Sequence, residues 1–297
     1  MILKPSSEFT MKIREHGFKF QGTKVTADAI KFDSIYEAHN FSIGYKAADH
    51  CGSTREAMDK GEFRNRVHWS TGYESQSVAM DNAKSFKNDD FIKKHDEWRR
   101  TNPGIAESMS ISPKRRLVRG DNGSELDAQK FLAGKFDTMW SKRQKVKEMR
   151  RNHRIVMMLG GACFVEPEQM NLTAIAAMEI MLNIGPKAEF VLVCGSQSAG
   201  VHENMFFDIL AKKSGTSLCR STASYAASVM MFRLTMFTLL ECLEGIPYGL
   251  GQVMSEDLHM DYISAHYKGS TVVPFIRDDK QLKQFLSDFR EGKLKPV

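Results

Sequence analysis

The chain is poor in the residues that mark secreted, membrane or nucleotide-binding proteins. Its five cysteines, Cys51, Cys163, Cys194, Cys219 and Cys242, are scattered, with no C-x-x-C pair. An odd, widely spaced set reads as reduced thiols and points away from a disulfide-stapled fold. Neither these thiols nor the nine histidines cluster at ligand spacing, so no structural metal is expected. Long apolar runs are missing too. The longest, AASVMMFRLTMFTLL over 226–240, is short for a bilayer and carries Arg233 in its middle. MILKPSSEF lacks the apolar centre of a secretion signal. A cytoplasmic protein without membrane contact is the expectation. Neither G-x-G-x-x-G nor G-x-x-x-x-G-K-[ST] occurs, so no nucleotide cofactor is expected either.

What is present is a balanced globular composition with an excess of positive charge. Hydrophobic residues make up 42% of the 297 and charged residues 26%, with a formal net charge of +6. That length buries a substantial core in one or two domains, and a basic balance suits a polyanionic partner.

Organisation changes along the chain. The first part is polar and rich in helix-start signals: Ser53 with Glu56, Thr71 with Glu74, and Ser124 with Asp127, the last closed by Gly134. Between them RRTNPGIAESMSISPKRRLVRG reads as a long loop or edge segment. From residue 154 the pattern becomes strand and helix in alternation. RIVMML and AEFVLVCGS are continuous apolar runs of the kind buried on both faces of a sheet. EQMNLTAIAAMEIMLNIG, ENMFFDILAKKSG, the apolar stretch from Met230 to Leu243 and DKQLKQFLSDFREG read as helices. TVVPFIR reads as an edge strand because of Pro274.

The expected fold is therefore α/β. A doubly wound, Rossmann-like domain of parallel strands occupies 141–297, and a loop-rich α+β or helical region occupies 1–140. The low strand count predicts that the sheet recruits strands from the N-terminal part, for example near HNFSIGY.

HWSTGYESQSVAM, GSELDAQKFLAG, RIVMML and AEFVLV, in that order, resemble an uncharacterised protein family of tailed bacteriophages and prophages. The C-terminal half also resembles a von Willebrand factor A-type domain, in which an Asp-x-Ser-x-Ser loop after the first strand ligates magnesium. Here GGACFVE stands in that place and supplies no hard oxygen ligand, so a degenerate metal site is implied. A further resemblance is to a single-stranded-DNA-binding accessory factor of podophages. It implies a phage RNA polymerase or another phage protein as a partner, in the cytoplasm of an infected bacterium.

The candidate binding residues are basic and interleaved with aromatics. SPKRRLVRG supplies Lys114, Arg115 and Arg116, with Arg119 behind them. SKRQKVKEMRRNHR supplies Lys142, Arg143, Lys147, Arg150, Arg151 and Arg154. Read as a helix, it sets Arg143, Lys147, Arg150 and Arg154 on one face, able to follow a phosphate backbone. Trp69, Trp98 and Trp140 all lie within a few residues of a cation and are candidate stacking platforms for unpaired bases.

Other constellations have plainer readings. Asp121, Glu125 and Asp127 match the carboxylates of a metal-dependent nuclease, yet also the start of a helix. Glu256, Asp257, His259, Asp261 and His266 are dense in metal-competent groups but match no known ligand spacing. Cys163 reads as a buried thiol, and Ser196, Gln197 and Ser198 sit where a strand opens into a crevice. The leading expectation is a non-enzymatic nucleic-acid-binding protein, directed at single-stranded DNA. The alternatives are a metal-free interaction or assembly module of von Willebrand type, and a metal-dependent nuclease.

Overall fold

In the computed structural model the described residues are 2–3, 11–12, 14–20, 23–44, 72–105, 114–146, 154–160, 167–184, 188–197, 204–236, 239 and 252–297. The main sheet contains β3 (Arg14–Phe20), β4 (Thr23–Phe32), β8 (Arg154–Leu159), β9 (Glu189–Gln197), β10 (Asn204–Lys212), β12 (Gln252–Val253) and β13 (Thr271–Val273). Their order is β13-β8-β9-β10-β4-β3, with β12 also paired to β9. A second sheet of four strands joins β5 (Lys114–Gly120), β6 (Glu125–Leu126), β7 (Trp140–Val146) and β11 (Thr216–Ser217), in the order β11-β5-β7-β6. A short pair, β1 (Ile2–Leu3) with β2 (Met11–Lys12), stands apart.

Strand alternation explains why RIVMML is apolar throughout. Ile155, Met157 and Leu159 enter one core, while Val156 and Met158 enter the other. Helices α1 (Ile35–Gly44), α2 (Gln76–Lys84), α3 (Asp89–Thr101), α5 (Pro167–Asn183), α6 (Arg220–Ala227) and α8 (Asp279–Glu291) supply residues to the first core. The second is closed by Leu258, Tyr262 and Ile263 of α7 (Glu256–His266). Helix α4 (Ala128–Leu132) belongs to the small sheet. The result is an α/β fold with helices on both faces of the main sheet.

Local chemistry sets several element ends. Asp278 caps α8 by accepting the Gln281 N–H at 2.8 Å, and Gly292 ends it in the left-handed region. β13 is the edge strand, with Pro274 just beyond it. Asp127, rather than Ser124, is the cap of α4, and Ser75 precedes α2 without a side-chain cap bond.

Other expectations are corrected. NMFFDILAK is the strand β10, buried over nearly its whole length and antiparallel to β9. Two-sided burial at the sheet centre, not the basic last turn, decides its state. The sheet is accordingly mixed: β8–β9, β8–β13 and β10–β4 are parallel, while β9–β10 and β4–β3 are antiparallel. HNFSIG (39–44) is helical, within α1, and the recruited strands are β3 and β4. The apolar stretch breaks after α6 and rewinds more widely over Met230–Met236, where Arg233 is fully buried. A line drawn between residues 140 and 141 runs through β7. The Ser53–Glu56 start, most of the Gly160-Gly161 turn and Cys163 lie outside the described residues.

Candidate nucleic-acid interface

The small sheet is shaped by eight consecutive residues, GDNGSELD. Gly120 ends β5, and a Cβ there would meet the Ser217 carbonyl oxygen at 2.3 Å. Only glycine lets β11 run alongside. Asp121 then turns into the main body. Its Oδ1 accepts the Cys219 N–H at 2.9 Å, and its Oδ2 accepts from the Tyr36 hydroxyl at 3.0 Å and the Thr222 hydroxyl at 2.5 Å. Asn122 accepts from the Lys142 ammonium at 2.5 Å.

Gly123 makes a second close approach, since a Cβ there would lie 2.3 Å from the Ser141 carbonyl oxygen. The same oxygen accepts the Ser124 N–H at 2.9 Å. Glu125 accepts from the Ser141 hydroxyl at 3.4 Å, and Asp127 accepts the Lys130 N–H at 3.3 Å. The acidic motif is thus a folding device, with Asp121 and Asp127 directed to different partners.

Nucleophilic chemistry finds no support at this junction. Burial, with the Asp121 charge second, raises the pKa of the Cys219 thiol, so the thiolate is disfavoured. The same two causes push the Tyr36 phenol far above its ordinary range.

Between this root and its far end, the sheet gathers positive charge. β5 reads KRRLVRG and β7 reads WSKRQKV: seven cations in two seven-residue strands, with no acid. They pair antiparallel, with Arg115 opposite Lys145, Leu117 opposite Arg143, Val118 opposite Lys142 and Gly120 opposite Trp140. Directly opposed residues share a face of the ladder. Val118 is buried and Arg119 exposed, so the pleat distinguishes the two sides. Arg115, Arg143 and Lys145 occupy positions on the Arg119 side, whereas Lys114, Arg116 and Lys142 occupy positions on the Val118 side. No ion pair to Arg119 occurs among the described residues.

The structure therefore unites Lys114, Arg115 and Arg116 with Lys142 and Arg143, clusters that look separate in the sequence. It does so as strands, correcting both the loop expected for the first and the helix expected for the second as far as Val146. Lys147, Arg150, Arg151 and Trp69 lie outside the described residues.

Arg154 is corrected as a free cation. It begins β8, pairs with Glu189 through two nitrogens at 3.0 Å, and lies 5.7 Å from the Tyr267 ring centroid. Trp98 is corrected as a stacking platform, since it is only 7% exposed and its indole N–H donates to Asp279 at 3.3 Å. Trp140 is half-buried, at the root of the ladder.

Two buried polar centres elsewhere have no sequence signature. His95 lies 2.7 Å from Glu179, which Arg99 also approaches at 3.1 Å, and Arg220 reaches His95 Nδ1 at 3.2 Å. This network ties α3, α5 and α6 together. On the other face, Asp208 accepts from the Tyr262 and Tyr267 hydroxyls at 3.1 and 2.5 Å, with Lys31 at 3.7 Å. Burial raises the Asp208 pKa against those partners.

The metal-competent cluster of the sequence does not assemble. His259 is buried, and burial lowers its pKa to about 4, while Glu256 pairs with Arg277 at 2.9 Å. No group of three His, Cys, Asp or Glu side chains suited to a metal occurs among the described residues. Nor, among them, is any helix long and apolar enough to cross a membrane.

Comparison with known proteins gives one match. The model of a family described as a domain of unknown function, DUF7192, covers residues 22–292. No curated protein and no solved structure matches the chain. The matched span runs from the residue before β4 to the glycine that closes α8 and takes in the small sheet and all of the main sheet except β3, so the chain belongs to the DUF7192 family.

Proposed function

We propose that this protein binds nucleic acid, with single-stranded DNA as its target, through the β5–β7 ladder and without catalysis of its own. The observation that carries the reading is the register of those two strands, which brings two separate basic segments side by side in one ladder whose own two strands contain no acid. Cations held on a sheet replace the counterions of a phosphate backbone, and their release makes affinity depend steeply on salt. The root of the ladder is anchored through Asp121, so the charged strands stand on a rigid base. The larger α/β body is then free to dock a partner. The phage-type resemblance supports an accessory role beside a polymerase in the cytoplasm of an infected bacterium.

Retention of a labelled oligonucleotide, single- or double-stranded, is measured at two salt concentrations with and without magnesium. The expected result is retention at low salt, weakened by the double change Arg119→Glu and Arg143→Glu. Retention unaltered by that change removes the ladder from the mechanism. Cleavage stimulated by magnesium makes the protein a nuclease instead.

A further inference from the structure

The turn between β6 and β7 leaves apolar side chains in solvent. Leu126 is 46% exposed, Phe131 48% and Leu132 84%. Helix α4, which carries Phe131 and Leu132, buries no residue at all. A helix of five residues has no intrinsic stability of its own, so something must fix this shape.

Several bonds do. Asp127 caps the first turn, Lys135 N–H donates to the Lys130 carbonyl at 2.9 Å, and the Lys130 ammonium donates to the Thr138 carbonyl at 3.4 Å. Gly134 supplies the left-handed residue that reverses the chain, at φ 69°. The Phe131 ring meets Phe136 edge-on at 5.9 Å, and Phe136 in turn meets Tyr36 of α1 at 6.4 Å. The exposed ring is therefore braced against the body of the protein rather than waving in solvent.

The position of this ridge matters as much as its exposure. Leu126 lies directly opposite Trp140, the first residue of the basic strand β7. By the pairing register Trp140 and Leu126 stand on the Val118 side of the ladder, so the apolar ridge leads to the positions of Lys142, Arg116 and Lys114 on that side. A partner matching both must offer flat apolar groups and regularly repeated negative charge. Single-stranded nucleic acid does so, because its bases are unstacked and its phosphates run alongside. A duplex offers the same phosphates but keeps its bases stacked within itself.

We propose that Phe131, Leu132 and Trp140 form a base-stacking ridge that gives the basic ladder its preference for single strands. This rests on the reading of the ladder as a phosphate-binding surface. The ladder supplies affinity for the backbone, and the ridge supplies discrimination between open and paired bases.

The full-length protein is titrated with fluorescent oligothymidylate, with an abasic oligonucleotide of the same length, and with a duplex. The wild type binds oligothymidylate more tightly than the other two. Phe131→Leu, which keeps the apolar bulk but removes the ring, lowers oligothymidylate affinity about 10-fold toward the abasic value, and Phe131→Trp restores it. Circular dichroism confirms that each variant is folded.

If all three probes bind equally and Phe131→Leu changes nothing, the ridge is overturned while the ladder stands. If no probe is retained at low salt, both fall. If Phe131→Leu leaves DNA affinity unaltered but the Leu132→Lys variant converts an oligomer to a monomer, the ridge is a surface for a second copy and the proposal is again overturned.

Discussion

The Asp121 carboxylate holds the backbone N–H of Cys219 at 2.9 Å across a sequence separation of 98 residues. Through this contact the small basic sheet is fastened to the start of α6 in the main body. Tyr36 and Thr222 donate to the other oxygen of the same carboxylate, so one side chain serves three donors from two elements. Charge-assisted bonds of this kind are about twice as strong as neutral ones, and a donor stranded by their loss costs more than the bond itself.

Replacing Asp121 tests this anchoring. Asp121→Ala is expected to lower stability by about 3 kcal/mol, because it strands partly buried donors. Asp121→Asn, which keeps the shape, should lose less. Urea unfolding of the two variants measures the difference. A folded Asp121→Asn protein that lost magnesium-stimulated cleavage would instead mark this carboxylate as catalytic.

The close approach at Gly123 makes a separate prediction. A methyl group there would press on the Ser141 backbone, with its carbonyl oxygen at 2.3 Å and its nitrogen at 2.8 Å. Backbone cannot swing aside as a long side chain can, so Gly123→Ala should cost about 1–3 kcal/mol. Thermal unfolding reads it directly. Gly134→Ala tests strain alone, since nothing lies within 4 Å of its Cβ position and only its positive φ resists substitution.

Cations on the ladder and cations off it should behave differently in a salt series. For single strands, each phosphate interaction that a substitution removes lowers the slope of log affinity against log salt by about 0.7. Arg119→Gln and Arg143→Gln should each show that reduction. Arg154→Ala should leave the slope unchanged, because its guanidinium already pairs with Glu189. Its cost is to stability, up to about 1 kcal/mol for a partly exposed pair.

Trp98 is expected to report on the core. Trp98→Ala removes a buried indole and should destabilise by about 3–5 kcal/mol. Trp98→Phe keeps most of the volume and gives up the bond to Asp279, so its loss should be smaller. Oligonucleotide affinity of the folded fraction should not move in either variant. An affinity loss in a fully folded Trp98→Phe protein would return this residue to the binding surface.

The pH dependence of stability should carry the mark of His259. Burial lowers its folded pKa to about 4, against an ordinary value of 6.5. Between those values the unfolded chain binds more protons, so stability is fully present above pH 6.5 and falls as pH drops toward 4. The full loss is about 3 kcal/mol. Asp208 works in the opposite sense, since its carboxyl is raised by burial. The His259 contribution is therefore the slope that disappears in His259→Phe, measured by urea unfolding at stepped pH.

Three of the seven strands of the main sheet, β8, β9 and β13, are readable along the chain, and for β8 and β9 the reason is physical. A strand buried on both faces needs apolar residues at every position, and RIVMML and AEFVLV satisfy that without reference to neighbours. Helix α8 is equally plain, because Asp278 and Gly292 act on backbone groups within a few residues of themselves. The abundance of cations in 114–119 and 142–145, and the glycines of GDNG, are likewise properties of the sequence alone.

What only the tertiary structure decided is whatever depends on a distant partner. NMFFDILAK is apolar enough for either a helix or a strand, and its place between β9 and β4 selects the strand. KRRLVRG and WSKRQKV carry too few apolar residues for alternation to be visible, so their strand state comes from pairing with each other and with β11 and β6. Trp98 sits beside arginines in sequence but against Asp279 in space, and helix geometry turns those neighbours to other faces. Local chemistry settles where elements begin, end and bury. Long-range hydrogen bonding settles which elements they are, and here it joins two separate basic segments into one ladder.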